Sequence, residues 1–461
     1  MTKICRALFY SYLCLPWILH GQSSIKNVLI LYADDQRFNT IRALGNPEIH
    51  TPNLDRLVHR GVTFTRAFTQ GGLHGALCVP SRAMLMTGRY LLGLQKAGDV
   101  IPLEHLMLPE RLRQLHYTTF GIGKWHNDVA SYARSFSDGA AIFFGGMHFP
   151  EKGGQEKPLK VDFDPHGLYK IPPTNAETYS SELYADEAIK FLDSQRHHSP
   201  PFLCYVAFTS PHDPRTPPPP IKNLYTTGHI SLPPNYLPQH PFDNGELHVR
   251  DELLLARPMT EEMVKNELAL YYGMVTELDH QIGRILDVVD KHGLTASTLI
   301  IFAGDNGLAV GSHGLLGKQS VYDHSMHIPL ILAHPGLPPG LKLDQLVYIA
   351  DIAPSIYDLL GQSIPPGVQG QSFVPYIRQP ALKGRSHVFH VYRNLQRAVR
   401  TVDDWKYIRY DVAGQVTEQL FNLKQDPWET KNLVLQKKYR RKLVRLRSLL
   451  SESQTALGAE L

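Results

Sequence analysis

The first chemically suggestive stretch of the chain is Cys-Val-Pro-Ser-Arg at residues 78–82, followed by Thr-Gly-Arg at 87–89. Pro80 is tolerated in the first turn of a helix, where its missing N–H costs no hydrogen bond, and a helix-forming run follows it. We therefore expect Cys78 at a helix N-terminus, where free N–H groups and the helix dipole favour an anion. Arg82 is one turn later and is expected to reach back to residue 78. A buried structural cysteine beside a helix-surface arginine is the alternative that these residues leave open.

Several polar side chains directly follow apolar runs that are expected to form strands. They are Asp34, Asp35, Lys124, His212, Asp305 and Asn306. Taken singly, each fits a solvated turn, a surface lysine or a capping histidine. Ligands of parallel sheets bind beyond the carboxyl ends of the strands, so their shared placement predicts a single active site.

The residue types define what such a site could do. Carboxylate and amide oxygens suit Ca²⁺ or Mg²⁺ better than zinc. Lys124, and Lys318 in a later glycine-rich loop, are point charges that could hold a tetrahedral oxyanion. His126 and His212 could transfer protons near neutral pH.

An alternation of apolar strands and amphipathic helices would position these residues. The expected strands are 26–33, 61–68, 117–123, 202–208 and 298–303, and the expected helices are 53–60, 182–194, 261–292 and 347–360. This order predicts an α/β fold with a largely parallel sheet that is covered on both faces. Residues 211–258 are rich in proline and lack periodicity, which is typical of a binding loop or lid.

The pattern changes after Gly370. Short antiparallel strands are expected at 387–392, 396–401 and 404–410, and a basic amphipathic helix at 439–450. We therefore place a domain boundary near Gln379, between a catalytic domain at 22–378 and a C-terminal subdomain at 379–461.

Composition limits the class of protein. The 461 residues, 43% hydrophobic and 20% charged, can bury one large core plus a smaller unit. The net charge of +4 is too small to indicate a nucleic-acid partner.

The N-terminus has the pattern of a signal peptide. Lys3 and Arg6 precede an apolar run at 7–19 that is too short to span a bilayer, which predicts a signal peptide at 1–21 and no stable membrane span. The protein is therefore expected to be secreted or periplasmic.

Of the four cysteines, Cys5 and Cys14 would leave with the signal peptide. Cys204 lies in an apolar run and is expected to be a small buried hydrophobe, which leaves Cys78 as the chemical cysteine.

Taken together, the motifs resemble those of the type I, formylglycine-dependent sulfatases of the alkaline phosphatase superfamily, and most of all the bacterial polysaccharide sulfatases. The motifs are the strand-ending Asp-Asp, Cys-x-Pro-Ser-Arg, Gly-Lys-Trp-His, Ser-Pro-His, Gly-Asp-Asn-Gly and the later Gly-Lys. The resemblance spans nearly the whole chain after the predicted signal. It implies an α/β/α sandwich with a mostly parallel central sheet, plus a small C-terminal antiparallel sheet-and-helix subdomain.

The resemblance also implies roles for individual residues. A formylglycine-generating or anaerobic sulfatase-maturating enzyme would oxidise Cys78 to formylglycine. One calcium ion would be bound by Asp34, Asp35, modified Cys78, Asp305 and Asn306. The implied catalytic residues are Cys78, Arg82, Lys124, His126, His212 and Lys318. Within that set, Arg82 orients residue 78, His126 deprotonates its second hydroxyl, and His212 protonates the leaving alcohol.

The implied substrate is a sulfate ester of a carbohydrate, with a galactose or N-acetylgalactosamine sulfate preferred. Candidate sugar contacts are His148, Arg215, His390, Arg393 and Gln396, for which surface solvation is the alternative. A phosphatase or phosphonate monoester hydrolase of the same superfamily is a second interpretation. Cys78 argues against two-metal phosphatases, which use Ser or Thr, and Asn306 stands where phosphonate hydrolases usually place histidine. An inactive anionic-glycan-binding protein is a third interpretation.

Overall fold

The computed structural model describes residues 25–195 and 200–456, so the predicted signal peptide lies outside the described residues. Strands account for much of the interior. In chain order they are β1 (Asn27–Ala33), β2 (Val62–Phe64), β3 (Ala67–Phe68), β4 (Gly71–Gly72), β5 (Thr118–Lys124), β6 (Asp138–Phe143), β7 (Leu159–Lys160), β8 (Thr174–Asn175), β9 (Phe202–Ala207), β10 (Thr298–Gly304), β11 (His327–Ile328), β12 (Leu330–Ala333), β13 (Leu341–Leu343), β14 (Val347–Tyr348), β15 (His387–Tyr392), β16 (Gln396–Thr401), β17 (Trp405–Val412) and β18 (Gln415–Asn422).

The central sheet has the strand order β13-β2-β12-β10-β1-β9-β5-β6. Its core of β10, β1, β9, β5 and β6 is parallel throughout, and β12 enters antiparallel between β10 and β2. Every residue of β1 is buried, as expected for a parallel strand covered on both faces. The prediction of a mostly parallel sheet is therefore confirmed.

The described residues form eleven α-helices, several of which cover the two faces of this sheet. They are α1 (Pro52–Arg60), α2 (Cys78–Thr87), α3 (Leu108–Gln114), α4 (Val129–Ser135), α5 (Ser180–Gln195), α6 (Pro219–Lys222), α7 (Glu261–Lys291), α8 (Asp323–Met326), α9 (Ile352–Leu359), α10 (Val374–Arg378) and α11 (Arg440–Ala456). Alternate residues of β1 belong to two apolar clusters, one shared with α2 and α9 and the other with α1, α5 and α7. The result is an α/β/α sandwich. Among the described helices, none combines the length and apolarity needed to cross a bilayer.

A second sheet, in the order β18-β17-β16-β15-β4, forms the C-terminal part of the molecule. Strands β15 to β18 are antiparallel, and α11 packs its buried leucines against them. The edge strand β4 comes from the N-terminal part and runs parallel to β15. The segment that leads to Cys78 is thus tied to the C-terminal sheet.

Two local predictions were wrong. The expected helix at 347–360 starts as strand β14, and α9 begins only at Ile352 because the Asp351 carboxylate accepts a hydrogen bond from the Tyr348 N–H at 2.7 Å and closes a turn. The expected strand at 61–68 is split into β2 and β3, which pair in different sheets. In both cases pairing with distant strands overrides the local pattern.

Candidate active site

Cys78 is the first residue of α2, as the sequence predicts, and its side chain is buried. Every residue of α2 is buried, so the helix is an interior element that holds its N-terminus in place. The thiol Sγ is 3.3 Å from the Nζ of Lys318. Burial raises the pKa of the Cys78 thiol to about 12, against the opposing effect of Lys124 and Lys318. The unmodified thiol is therefore protonated near neutral pH and is a poor thiolate nucleophile.

Two pairs of oxygen-bearing residues meet beside Cys78 because β1 and β10 are parallel neighbours. Their last residues, Ala33 and Gly304, are paired in register, so Asp34-Asp35 and Asp305-Asn306 leave the sheet side by side. The Asp35 N–H donates to Asp305 Oδ1 at 2.9 Å, and the Asn306 amide donates to Asp35 Oδ1 at 2.7 Å.

The carboxylates differ in their ionisation. Burial and the neighbouring Asp34 raise the pKa of Asp305 to about 7. Burial also opposes the charge on Asp34, but Lys124, His212 and Arg82 hold its pKa well below its usual range.

Three buried cations compensate these carboxylates. Lys124 Nζ is 2.5 Å from Asp34 Oδ2, and Lys318 Nζ is 2.7 Å from Asp35 Oδ1. Arg82 donates to Asp305 Oδ2 at 3.1 Å.

Arg82 also donates to the Lys124 carbonyl oxygen at 2.9 Å and to the Tyr205 hydroxyl at 3.2 Å. Its hydrogen bonds thus go to β5, to β9 and to the residue that follows β10, rather than to residue 78, where the sequence prediction placed them. A four-residue helical spacing defines a shared face, but the buried carboxylate of Asp305 is the stronger partner for a guanidinium.

His212 faces the same cluster. Its Nε2 is 3.6 Å from Asp35 Oδ2, while its Nδ1 donates to the Asp213 carbonyl oxygen at 2.8 Å. Burial and Lys318 lower the pKa of His212, but Asp35 and Asp213 outweigh them and raise it. One ligand atom each from Asp34, Asp35, Cys78 and His212 lies within 4.8 Å of the others.

His126 follows Lys124 with a backbone φ of 66°, in the left-handed region. Burial, and then the Lys124 charge, lower the pKa of His126 well below its usual range, so the ring is neutral. A Cβ placed on Gly146 would come within 2.8 Å of the His126 Nε2, so the glycine makes room for this ring.

Four residues with side-chain oxygens, Asp34, Asp35, Asp305 and Asn306, lie beside Cys78, and two of these oxygens lack partners. Asp34 Oδ1 and Asn306 Oδ1 are buried and form no hydrogen bond with any described residue. Buried oxygens of this kind are normally paired or bind a cation. The donor set of Asp34, Asp35, Asp305 and Asn306 therefore fits a hard divalent cation such as Ca²⁺.

The predicted sugar contacts are distributed differently. His148 is buried near the site, with its Nε2 3.0 Å from the Tyr184 hydroxyl; burial and then the Lys124 charge lower its pKa to about 3. Arg393 lies at the turn between β15 and β16, and its half-exposed guanidinium reaches the loop at Gly75, just before Cys78.

The other three candidates have partners within the fold. Arg215 is buried and donates to Glu267 Oε2 at 2.6 Å. His390 lies inside the C-terminal sheet, where its Nδ1 is 3.0 Å from the Thr69 carbonyl oxygen. Gln396 is likewise buried and accepts a hydrogen bond from the Val321 N–H at 3.2 Å.

The structure also reveals a pair that sequence reasoning missed. Arg250 donates to both carboxylate oxygens of Asp213, at 2.7 and 2.8 Å, and Asp213 Oδ1 is 3.2 Å from His212 Nδ1. Asp213 could have been found from its position beside His212. Arg250 lies in the aperiodic 211–258 stretch, which carries no local signal for this contact.

The chain matches known sequence families over most of its length. The family model described as Sulfatase matches residues 26–362, and the model described as N-sulphoglucosamine sulphohydrolase, C-terminal, matches residues 311–456. An ulvan-active sulfatase of Formosa agariphila is 26% identical over 94% of this chain and 82% of its own length.

Solved structures share the fold. A protein determined in complex with its substrate D-glucosamine-2-N,6-O-disulfate has a TM-score of 0.76 and 21% identity, covering 95% of this chain and 98% of its own. The phosphonate monoester hydrolase of Agrobacterium radiobacter has a TM-score of 0.74 and 24% identity, covering 94% and 96%.

Proposed function

Because the chain belongs to the sulfatase family and is a sulfuric ester hydrolase, we propose that it hydrolyses sulfate esters of carbohydrates through a formylglycine formed from Cys78, with one bound Ca²⁺. The observation that carries this proposal is the convergence of Cys78 with Asp34, Asp35 and His212, whose ligand atoms lie within 4.8 Å of one another. The ulvan-active relative supports a sulfated carbohydrate as the substrate.

Maturation changes only residue 78. A separate enzyme breaks the Cβ–S bond and oxidises Cβ to an aldehyde: the sulfur leaves as hydrogen sulfide, water supplies the aldehyde oxygen, and the oxidant of that enzyme takes up the two electrons. Hydrated, the aldehyde supplies an oxygen nucleophile that can displace an alcohol from sulfur and then expel sulfate as the aldehyde re-forms. The Lys318 Nζ, 3.3 Å from Sγ, is placed to donate to an oxygen at this position.

The cation would be held by Asp34, Asp35, Asp305 and Asn306 together with residue 78. It would supply positive charge that favours an ionised nucleophile and an anionic ligand. When Asp34, Asp35 and Asp305 are all ionised, their charges are balanced by those of Arg82, Lys124 and Lys318. A divalent ion therefore makes the site net positive, which suits a sulfate ester.

The chain's own side chains provide positioning and proton transfer. Lys124 and Lys318 hold the sulfate oxygens, and Arg82 keeps Asp305 and the Lys124 backbone in place. Against burial and Lys318, Asp35 and Asp213 raise the pKa of His212, which donates a proton from Nε2 of its imidazolium to the departing alcohol, while its Nδ1–H stays bonded to the Asp213 carbonyl and fixes the orientation of the ring. His126 accepts the proton that must leave before sulfate is released.

Mass spectrometry of the peptide containing residue 78, combined with rate measurements on matched aryl sulfate and aryl phosphonate esters, tests the proposal. We expect an aldehyde at residue 78 and faster hydrolysis of the sulfate ester. A thiol in enzyme from its natural source would contradict the mechanism, and a phosphonate preference would favour the phosphonate hydrolase interpretation. A panel of sulfated monosaccharides, galactose and N-acetylgalactosamine sulfates among them, then identifies the sugar. A matured protein that releases no sulfate from any of them would indicate an inactive glycan-binding protein.

A further inference from the structure

The C-terminal helix α11 and the turn before it hold the excess positive charge of the chain. Residues 437–447 contain seven lysines and arginines and no acidic residue, out of 47 basic and 43 acidic residues in all. The rest of the chain therefore carries 40 basic residues against 43 acidic ones. The net charge of +4 is not a diffuse property of the protein but belongs to this one segment.

Most of these cations lack an ion-pair partner. Lys442 is paired with Asp403 and Arg447 with Glu418. The other five are exposed and form no ion pair with any residue that the structure describes, and we call them the basic surface: Lys437, Lys438, Arg440, Arg441 and Arg445. Four of them, all except Arg445, line one shallow depression together with Val444.

This arrangement lowers the stability of the helix. The first turn of α11 contains Arg440, Arg441 and Lys442 and no acidic residue, so its cations face the positive end of the helix dipole. Each such charge costs about 0.3–1 kcal/mol when exposed. Arg441 and Arg445 are four residues apart and repel each other by a further ~0.2–0.5 kcal/mol. Asp403 offsets only the charge of Lys442, and an anionic ligand would relieve the repulsion among the remaining cations.

The other face of α11 is not available for insertion into a membrane. Leu443, Leu446 and Leu450 are buried against the C-terminal sheet, so the helix has no broad apolar face to insert into lipid. What the helix presents to solvent is charge. The partner is therefore a soluble or extended polyanion, and its contacts are with the charged heads of the side chains.

We propose that the basic surface binds the sulfated polysaccharide chain away from the active site and keeps the polymer on the enzyme between cleavages. This inference rests on the proposed function, because a sulfated carbohydrate polymer is the polyanion that such an enzyme meets. Sulfate groups repeated along a glycan match cations spread over residues 437–445. A second attachment point raises the effective concentration of the polymer at the active site without any new contact there.

The test compares two variants with equal loss of charge. The first replaces the basic surface (K437Q, K438Q, R440Q, R441Q and R445Q). The control removes five exposed lysines that are scattered over the chain (K26Q, K170Q, K222Q, K291Q and K383Q). Binding of fluorescein-labelled dextran sulfate is followed by anisotropy over a series of salt concentrations, with duplex DNA of matched charge as the competing polyanion. Sulfate release from a small aryl sulfate is measured in parallel.

The basic-surface variant is expected to bind dextran sulfate at least about tenfold more weakly and with a shallower salt dependence. Its unfolding temperature should equal or exceed that of the wild type, since repulsion is removed, and its aryl sulfate turnover should be unchanged. Equal weakening in the scattered control, or tighter binding of DNA through the same residues, would overturn the proposal. Binding is measured without turnover, so the two proposals can fail separately. A protein that binds dextran sulfate through the basic surface but releases no sulfate would contradict the proposed function and leave the binding proposal intact.

Discussion

Cys78 and Cys204 are the two cysteines of the described residues, and both are buried and unpaired. Their surroundings separate their roles. Cys204 lies on β9 within an apolar cluster, and burial alone raises the pKa of its thiol. Cys78 lies at a helix N-terminus beside Lys318 and two carboxylates. Burial is common to both, so it is the polar neighbours that mark Cys78 as the reactive residue.

We expect Cys78→Ala to fold normally and to lose sulfate release by roughly a thousandfold or more, because the covalent nucleophile is removed. The matched control is Cys204→Ala, which should lower the free energy of unfolding by about 1 kcal/mol and leave turnover per folded molecule unchanged. Sulfate release and thermal unfolding of both purified variants check this. Substantial turnover in the Cys78→Ala variant would show that the reaction does not use residue 78.

At the scale of elements, the Arg250 end of the long 211–258 segment is linked to His212, the proposed proton donor, through one ion pair with Asp213. Arg250, in the 3-10 helix Arg250–Leu254, holds Asp213, which adjoins His212. We expect Arg250→Gln to lower kcat roughly tenfold, because His212 loses its fixed orientation. The kcat of Arg250→Lys should lie between those of the wild type and Arg250→Gln, since lysine keeps the charge but lacks the bidentate geometry.

Steady-state kinetics of these variants on an aryl sulfate measures the effect. Arg378→Gln serves as the control, because Arg378 forms a single exposed pair with Asp358 at 3.4 Å. If Arg250→Gln and Arg378→Gln have the same kcat, the 211–258 segment does not position His212.

The elements that could be predicted from the sequence are those whose pattern lies within a short stretch of the chain. The strands β1, β9 and β10 are apolar runs with polar residues at their ends, so the strands and the site residues beyond them were predictable. The Arg250–Asp213 contact and the pairing of β4 with β15 depend on residues far apart in sequence, for which no local pattern exists. His390 could not be placed either, because five of the six residues of β15 are buried and alternation does not reveal which way a polar side chain faces.

At the scale of the whole molecule, the proposed calcium site joins segments that are remote along the chain. Its donors follow β1 and β10 and begin α2, which packs on the opposite side of the sheet from α7. A ligand that binds only the folded state stabilises it by RT ln(1 + [L]/Kd), or about 2.7 kcal/mol at a hundredfold excess over Kd. Calcium should therefore raise the stability of the entire catalytic domain and not only of a loop.

We expect EDTA to lower the apparent unfolding temperature of the purified protein and excess Ca²⁺ to restore it, as followed by scanning calorimetry at a fixed scan rate. Asp305→Asn should abolish most of this calcium dependence, because it removes a buried anionic donor at the centre of the cluster. Asp287→Asn is the control and should keep the calcium dependence, because the Asp287 side chain is 71% exposed and pairs with Arg56, outside the site. The two substitutions change charge equally, so a calcium-induced shift that is the same in both variants would mean that the ion binds elsewhere. If the calcium-induced rise in unfolding temperature is lost only in Asp305→Asn, the ion that stabilises the sandwich is bound by the oxygens beside residue 78.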